Sequence, residues 1–164
     1  MYYKTDTGNV YAVANQAAVT TTAALATTWT GLGIANPTAS SVNLVLLEFN
    51  VAQFAVGAAA AVGLMMTTNS GFAAVITPQN QLVGSGLVAS ALADDGATIA
   101  TPVLNRIYGQ VGSEATTAYG LMPGIQAHID GSIVIPPGFA VCSYTSIVTT
   151  SALLFNFVWA EEKI

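Results

Sequence analysis

Few side chains in this 164-residue chain could carry out chemistry. His128 is its one histidine and Cys142 its one cysteine. A thiol beside an imidazole is a workable nucleophile and base, but one copy of each carries no spacing signature. Cys142 sits beside Val141 and Tyr144 in an alternating stretch, where a lone cysteine reads as a small core hydrophobe. His128 and Asp130 form His-x-Asp, and on a strand both would project to one side and could share a cation. Two ligands do not close a metal site, although a threefold axis could gather three copies of each. The plainer reading is a surface loop ahead of a turn at Gly131. Asp94-Asp95 could be paired carboxylates for acid–base work or Ca²⁺, but Gly96 follows and makes them turn residues. Gly84-Ser85-Gly86 is no phosphate loop, because no Lys-Ser/Thr leads from it into a helix. A cupin-like metal centre needs several histidines and carboxylates converging, and this chain has a single histidine. The expectation is therefore no catalytic residue, no metal, no cofactor and no enzyme. Trp29, set among threonines, is the residue least easily read as core. It is either an interface anchor or a ring for stacking on carbohydrate, a reading that the tyrosines Tyr108 and Tyr119 would share.

The elements that must hold these residues read as strands. No long segment repeats apolar residues at three- and four-residue spacing between caps. Thr, Val, Ala and aromatic residues dominate, punctuated by Gly and Pro, which is the pattern of many short strands in a sandwich or barrel. Residues 1–8 read as an exposed N-terminal arm and 9–164 as one domain, since no linker divides them. Residues 9–29 read as two extended segments, and the first clear loop is Ala35-Asn36-Pro37-Thr38-Ala39-Ser40-Ser41. The strand from Val42 to Val51 follows, with Val45, Leu47, Phe49 and Val51 expected on one face and Leu44, Leu46 and Glu48 on the other. Both faces are mainly apolar, so each should contact something. Val62 to Thr68 and Phe72 to Ile76 read as a hairpin closed by Asn69-Ser70-Gly71. Val103 to Tyr108 is a further strand, and 109–124 a long loop. Ile133-Val134-Ile135 leads into a Pro136-Pro137-Gly138 turn, and Phe139 to Thr150 alternates. Leu153, Phe155, Phe157 and Trp159 form one face of a last strand, and Glu161-Glu162-Lys163 is expected in solvent.

Charge is the chain's most unusual property. It carries 3 basic and 8 acidic residues, 7 % of the total. An average domain is about 25 % charged, which would be roughly 41 residues here. A monomer of 16.7 kDa should expose on the order of 7,600 Å², and 11 charges cover that poorly. With 53 % hydrophobic residues and a mean hydropathy of +0.61, much of the surface is expected to be buried against partners. A membrane is not the expected partner. The most apolar run, from Val51 to Met66, is short, rich in Ala and interrupted by Gln53 and glycines, where a spanning helix wants about 20 apolar residues. The net charge of −5 and the scatter of Lys4, Arg106 and Lys163 argue against nucleic acid. The N-terminus lacks a basic segment leading into an apolar one, so no secretory signal is read.

Two flanks of the sequence resemble a known group. Ala14-Asn15-Gln16-Ala17, Thr27-Thr28-Trp29-Thr30-Gly31-Leu32 and Ala35-Asn36-Pro37 leading into Val42-Asn43-Leu44-Val45-Leu46-Leu47 form the first. Asp130-Gly131-Ser132-Ile133-Val134-Ile135-Pro136-Pro137-Gly138 and the ending Phe157-Val158-Trp159-Ala160-Glu161-Glu162 form the second. They resemble the head decoration (cement) proteins of tailed bacteriophages, trimeric jelly rolls of the tumour-necrosis-factor type. The glycine-rich loop of that group stands here as Thr38-Ala39-Ser40-Ser41, without glycine. The resemblance implies an all-β, antiparallel β-sandwich with jelly-roll topology. It implies a homotrimer made in the host bacterial cytoplasm and bound to the major capsid protein on the outer surface of the virion, with no nucleic acid or membrane partner. A head-fibre or adhesin module binding host-surface carbohydrate is the alternative. Trp29, Glu48, Arg106 and Tyr144 are the candidate subunit or capsid interface residues. Glu48 and Arg106, the charges most isolated in sequence, are expected to pair across an interface.

Overall fold

A computed structural model describes residues 5–53, 55, 57–112, 124–149 and 153–164. The chain is an all-β, antiparallel β-sandwich, with ten strands among the described residues. These are β1 (Val10–Ala14), β2 (Thr28–Ala35), β3 (Val42–Gln53), β4 (Ala60–Thr68), β5 (Gln79–Asn80), β6 (Leu92–Thr98), β7 (Val103–Val111), β8 (Gly124–Ile135), β9 (Phe139–Thr145) and β10 (Leu153–Lys163). One sheet runs β5-β1-β10-β3-β8 and the other β6-β2-β9-β4-β7. In chain order the strands alternate between the two sheets except at β6 and β7, which follow one another in the second.

One core cluster lies between the sheets. The first sheet supplies Tyr11, Val13, Leu44, Leu46, Phe49, Val51, Ile133, Ile135 and the row Leu153, Phe155, Phe157 and Trp159. The second supplies Leu32, Ile34, Val62, Leu64 and Val141. Phe49 is its aromatic centre, 5.1 Å from Phe157, 5.9 Å from Tyr108 and 6.0 Å from Phe155 between ring centroids. The alternation in β10 is as the sequence indicates, because side chains on a strand point to opposite faces in turn. The two-residue period thus assigns Leu153, Phe155, Phe157 and Trp159 to the core.

In β3 the same rule misassigns four residues, Leu44, Val45, Leu46 and Leu47. Val158 pairs with Glu48 and the next residue, Trp159, with Leu46, so Leu47 has no partner on β10. This bulge inserts one extra residue and reverses the alternation. Leu44 and Leu46 face inward before it, and Phe49 and Val51 after it. Val45 and Leu47 turn outward, where they join Val10, Val158 and Ala160 in a second apolar cluster.

Several local expectations are corrected. β2 runs on through Gly31 and Gly33 to Ala35, beyond residue 29, the expected end of the second extended segment. Phe72 to Ile76 does not pair with β4: Asn69 N–H donates to Gly138 O and Phe72 folds back through a turn. Asp94-Asp95-Gly96 lies within β6, with the Asp94 carboxylate buried and accepting the Ala73 and Gly96 N–H groups at 2.9 and 3.0 Å. Glu161 is also buried, inside β10 rather than in solvent. The Gly138 turn is as expected, at φ +89°, a conformation glycine adopts at little cost. Of the expected arm, residues 5–8 form a turn, and Asn80 Nδ2 donates to Gly8 O at 2.6 Å; residues 1–4 lie outside the described residues, as do 113–123 of the expected long loop.

Candidate functional site

The candidate site is the outside of the sandwich. Among the described residues no group of three or more His, Cys, Asp or Glu could hold a metal. The two reactive singletons are also kept apart. His128 is on β8 in the first sheet and Cys142 on β9 in the second. Cys142 is fully buried, and burial, assisted by the nearby Asp94 carboxylate, pushes its thiol far above the ordinary value. A thiol held protonated in this way is a poor nucleophile. His128 is not in a loop but on a strand, directly across from Glu48, with Nδ1 3.8 Å from Oε1.

The outer face of the first sheet carries Glu48 against the exposed His128 and, beside them, an apolar cluster buried within the single chain, with Val10, Leu47 and Ala160 at 2, 9 and 0 % exposure. Ala160 is in register with Val10 on one neighbour and Val45 on the other, and Leu47 and Val158 complete an apolar patch around it. Further along, Asn50 Nδ2 donates to Asn156 Oδ1 at 3.0 Å, and Asn156 Nδ2 to Val13 O at 3.0 Å. Glu48 lies between the patch and the asparagines on β3.

The outer face of the second sheet is covered by its own chain. The β2 sequence places Leu32 and Ile34 in the core and Trp29, Gly31 and Gly33 on the other side. A Cβ on Gly31 would meet the indole at 2.9 Å, and one on Gly33 would meet it at 3.1 Å and the Phe72 ring at 2.8 Å. The glycines therefore make the bed in which the indole lies flat. Trp29 is only 2 % exposed, packed with Met65, Ile99 and Cys142 under Phe72. Its Nε1 donates to Ser143 O at 3.0 Å. Trp29 is thus core within a single chain, and its ring offers no face to a sugar. Tyr144 packs against the same cluster. Tyr108 is against Phe49 in the main core, and Tyr119 lies outside the described residues.

The chain matches no protein-family model, no curated protein and no solved structure.

Arg106 is on β7, at the edge of the second sheet. Its guanidinium donates to Ser132 Oγ at 2.9 Å, bridging to β8 at the edge of the first. Glu48 and Arg106 each have a partner within the chain, and the fold does not bring them to each other. Around Arg106 the β7–β8 side exposes Val103, Leu104, Ile107 and Val134. Below them opens an apolar cleft of about 450 Å³, bounded by Met66, Val103, Ile133, Val134, Pro136 and Phe139.

Two features escape sequence reasoning. Glu161 Oε1 accepts the N–H groups of Ser90 and Ala91 at 2.8 and 3.2 Å, which ties the segment after β5 to the end of β10. The loop at 82–88 carries Leu82, Val83, Leu87 and Val88, all exposed. Its signal was present in the sequence, two aliphatic pairs flanking Gly84-Ser85-Gly86. No helix among the described residues is long and apolar enough to cross a membrane.

Proposed function

We propose that this chain is a virion structural protein, a capsid decoration or cement protein that trimerises and binds the outer surface of a phage head. The observation that carries the reading is the poverty of charge on its surface. The isolated chain exposes 8034 Å², and of its 11 charged side chains Asp94 and Glu161 are buried and do not solvate it. In solvent stand instead large apolar side chains, among them Val103, Leu104, Ile107 and Val134 on the β7–β8 side and Val83 and Val88 on the 82–88 loop. Such a surface is stable in water when neighbours cover it. The alternation of strands between the two sheets, broken only at β6–β7, supports the jelly-roll form of the sandwich. The resemblance of the two sequence flanks to decoration proteins supplies the neighbours: two sister subunits and the major capsid protein.

In this role the protein performs no chemistry and is not an enzyme. A trimer that binds only assembled shell stabilises that shell by mass action, because every bound copy must dissociate before the shell can open. The test is direct. The purified chain should have three times the 16.7 kDa protomer mass in native mass spectrometry, and should cosediment with phage heads that lack it. A monomer at micromolar concentration, or heads that leave it in the supernatant, would overturn the proposal.

A further inference from the structure

The 82–88 loop is an apolar protrusion held in place by a rigid base. Val83 is 93 % and Val88 82 % exposed, and nothing lies within 4 Å of where a Cβ would stand on Gly84 or Gly86. Both glycines have positive φ, at +83° and +71°, so the tip is a tight turn built for glycine. The base is fixed from several directions. Asn80 Oδ1 accepts Leu82 N–H at 2.8 Å, and Ser85 N–H donates to Leu82 O at 3.1 Å. Tyr11 Oη donates to Val88 O at 3.3 Å, and the Glu161 carboxylate holds Ser90 and Ala91. Ordering a loop before it binds removes an entropic cost from binding.

The molecule also contains a cleft of matching chemistry that the loop cannot reach within its own chain. The loop follows β5, which lies at one edge of the first sheet, whereas the cleft opens beside β8 and β7 at the opposite edge. Both features lie at the same end of the sandwich. Gln81 N–H donates to Val10 O, β10 ends beside the start of β3, and Leu44 near that start pairs with Ile135 at the cleft. No charged residue lines the cleft, and none occurs from Ile76 to Ala93. That lack of Lys and Arg disfavours a lipid surface as the loop's target.

We propose that the 82–88 loop of one copy seats in the Met66, Val103, Val134 and Phe139 cleft of the next, as a head-to-tail contact between identical chains. Different patches meet in such a contact, so it closes into a ring when the rotation between copies divides a full turn. This inference rests on the self-assembly part of the proposed function and assigns its contact residues.

Sedimentation equilibrium of Val83→Asp, Val88→Asp and Val103→Asp tests it. All three positions are exposed in the single chain, so the substitutions leave its fold intact. Each should weaken self-association by about 30-fold or more, the loss typical of a central interface residue. A second measurement reads the contact itself. Val83→Cys chains mixed with Val103→Cys chains should be joined by a short bismaleimide, and neither variant should join to itself. The buried Cys142 stays silent. Asp variants that assemble like the parent chain would overturn the loop contact and leave the decoration reading standing. Variants that assemble normally but no longer bind heads would overturn it too, and would make the shell the loop's partner. A parent chain that stays monomeric at tens of micromolar would remove both.

Discussion

Replacing Trp29 with alanine separates a core role from a recognition role. The indole is covered by Phe72, Met65, Ile99 and Cys142, and donates a hydrogen bond to Ser143 O. Truncating a buried tryptophan costs about 3–5 kcal/mol. Roughly 1 kcal/mol of that is the hydrogen bond. The glycines at 31 and 33 offer no side chain to fill the space, which places the loss at the upper end of the range. Set against a typical domain stability of about 5–15 kcal/mol, this is a large fraction. With a urea m value of about 2 kcal/mol/M, the midpoint should fall by about 2.5 M. Circular dichroism in urea at one fixed protein concentration measures it, the fixed concentration removing any contribution from association. Trp29→Phe should lose less, because it keeps ring contact with Phe72 and gives up only the N–H. A loss below about 1 kcal/mol for Trp29→Ala, as for an exposed residue, would refute the core assignment. It would restore the ring as a candidate for binding carbohydrate.

Two further outcomes follow from buried groups. The Cys142 thiol is held protonated in the fold by burial first and by Asp94 second, while in the unfolded chain it ionises near its ordinary value of 9.0. Above that pH the unfolded state binds fewer protons than the folded one, so stability falls as pH rises, by up to about 1.4 kcal/mol per pH unit. Denaturation between pH 8 and 10 should show this slope, and Cys142→Ala should flatten it; equal slopes would contradict the burial argument. Glu161→Ala strips the acceptor from Ser90 and Ala91 N–H and should cost about 2 kcal/mol. Hydrogen exchange should rise at 82–91 while the β3 and β10 amides stay protected; uniform loss of protection would show that Glu161 supports the whole fold instead of one loop.

How much was legible depended on whether a residue's fate was set by its strand neighbours or by distant ones. Val42 to Val51 and the row from Leu153 to Trp159 announce strands because the two-residue period is a local property. The bulge at Leu47 is not local, because it exists only in the pairing of β3 with β10. It sends Val45 and Leu47 to the outer face, where they pack with Val10, Val158 and Ala160 in a second buried cluster. Asp94-Asp95-Gly96 has turn composition, yet pairing with β2 draws it into β6, and the buried Asp94 serves the backbone at Ala73.

The sequence by itself determined the fold class and the shortage of surface charge, since composition and strand period survive any arrangement in space. It also set the shortage of reactive groups, with one histidine and one cysteine. Only the tertiary structure decided which faces remain open. Trp29, an exposed ring by its threonine neighbours, is buried because Phe72 folds over it from forty-three residues away. Val83 and Val88, ordinary aliphatics in sequence, stand in solvent because the ties at Asn80, Tyr11 and Glu161 hold their loop clear of the core. Burial is a property of contacts between segments far apart in sequence, and no local pattern encodes which of two apolar residues will find a neighbour.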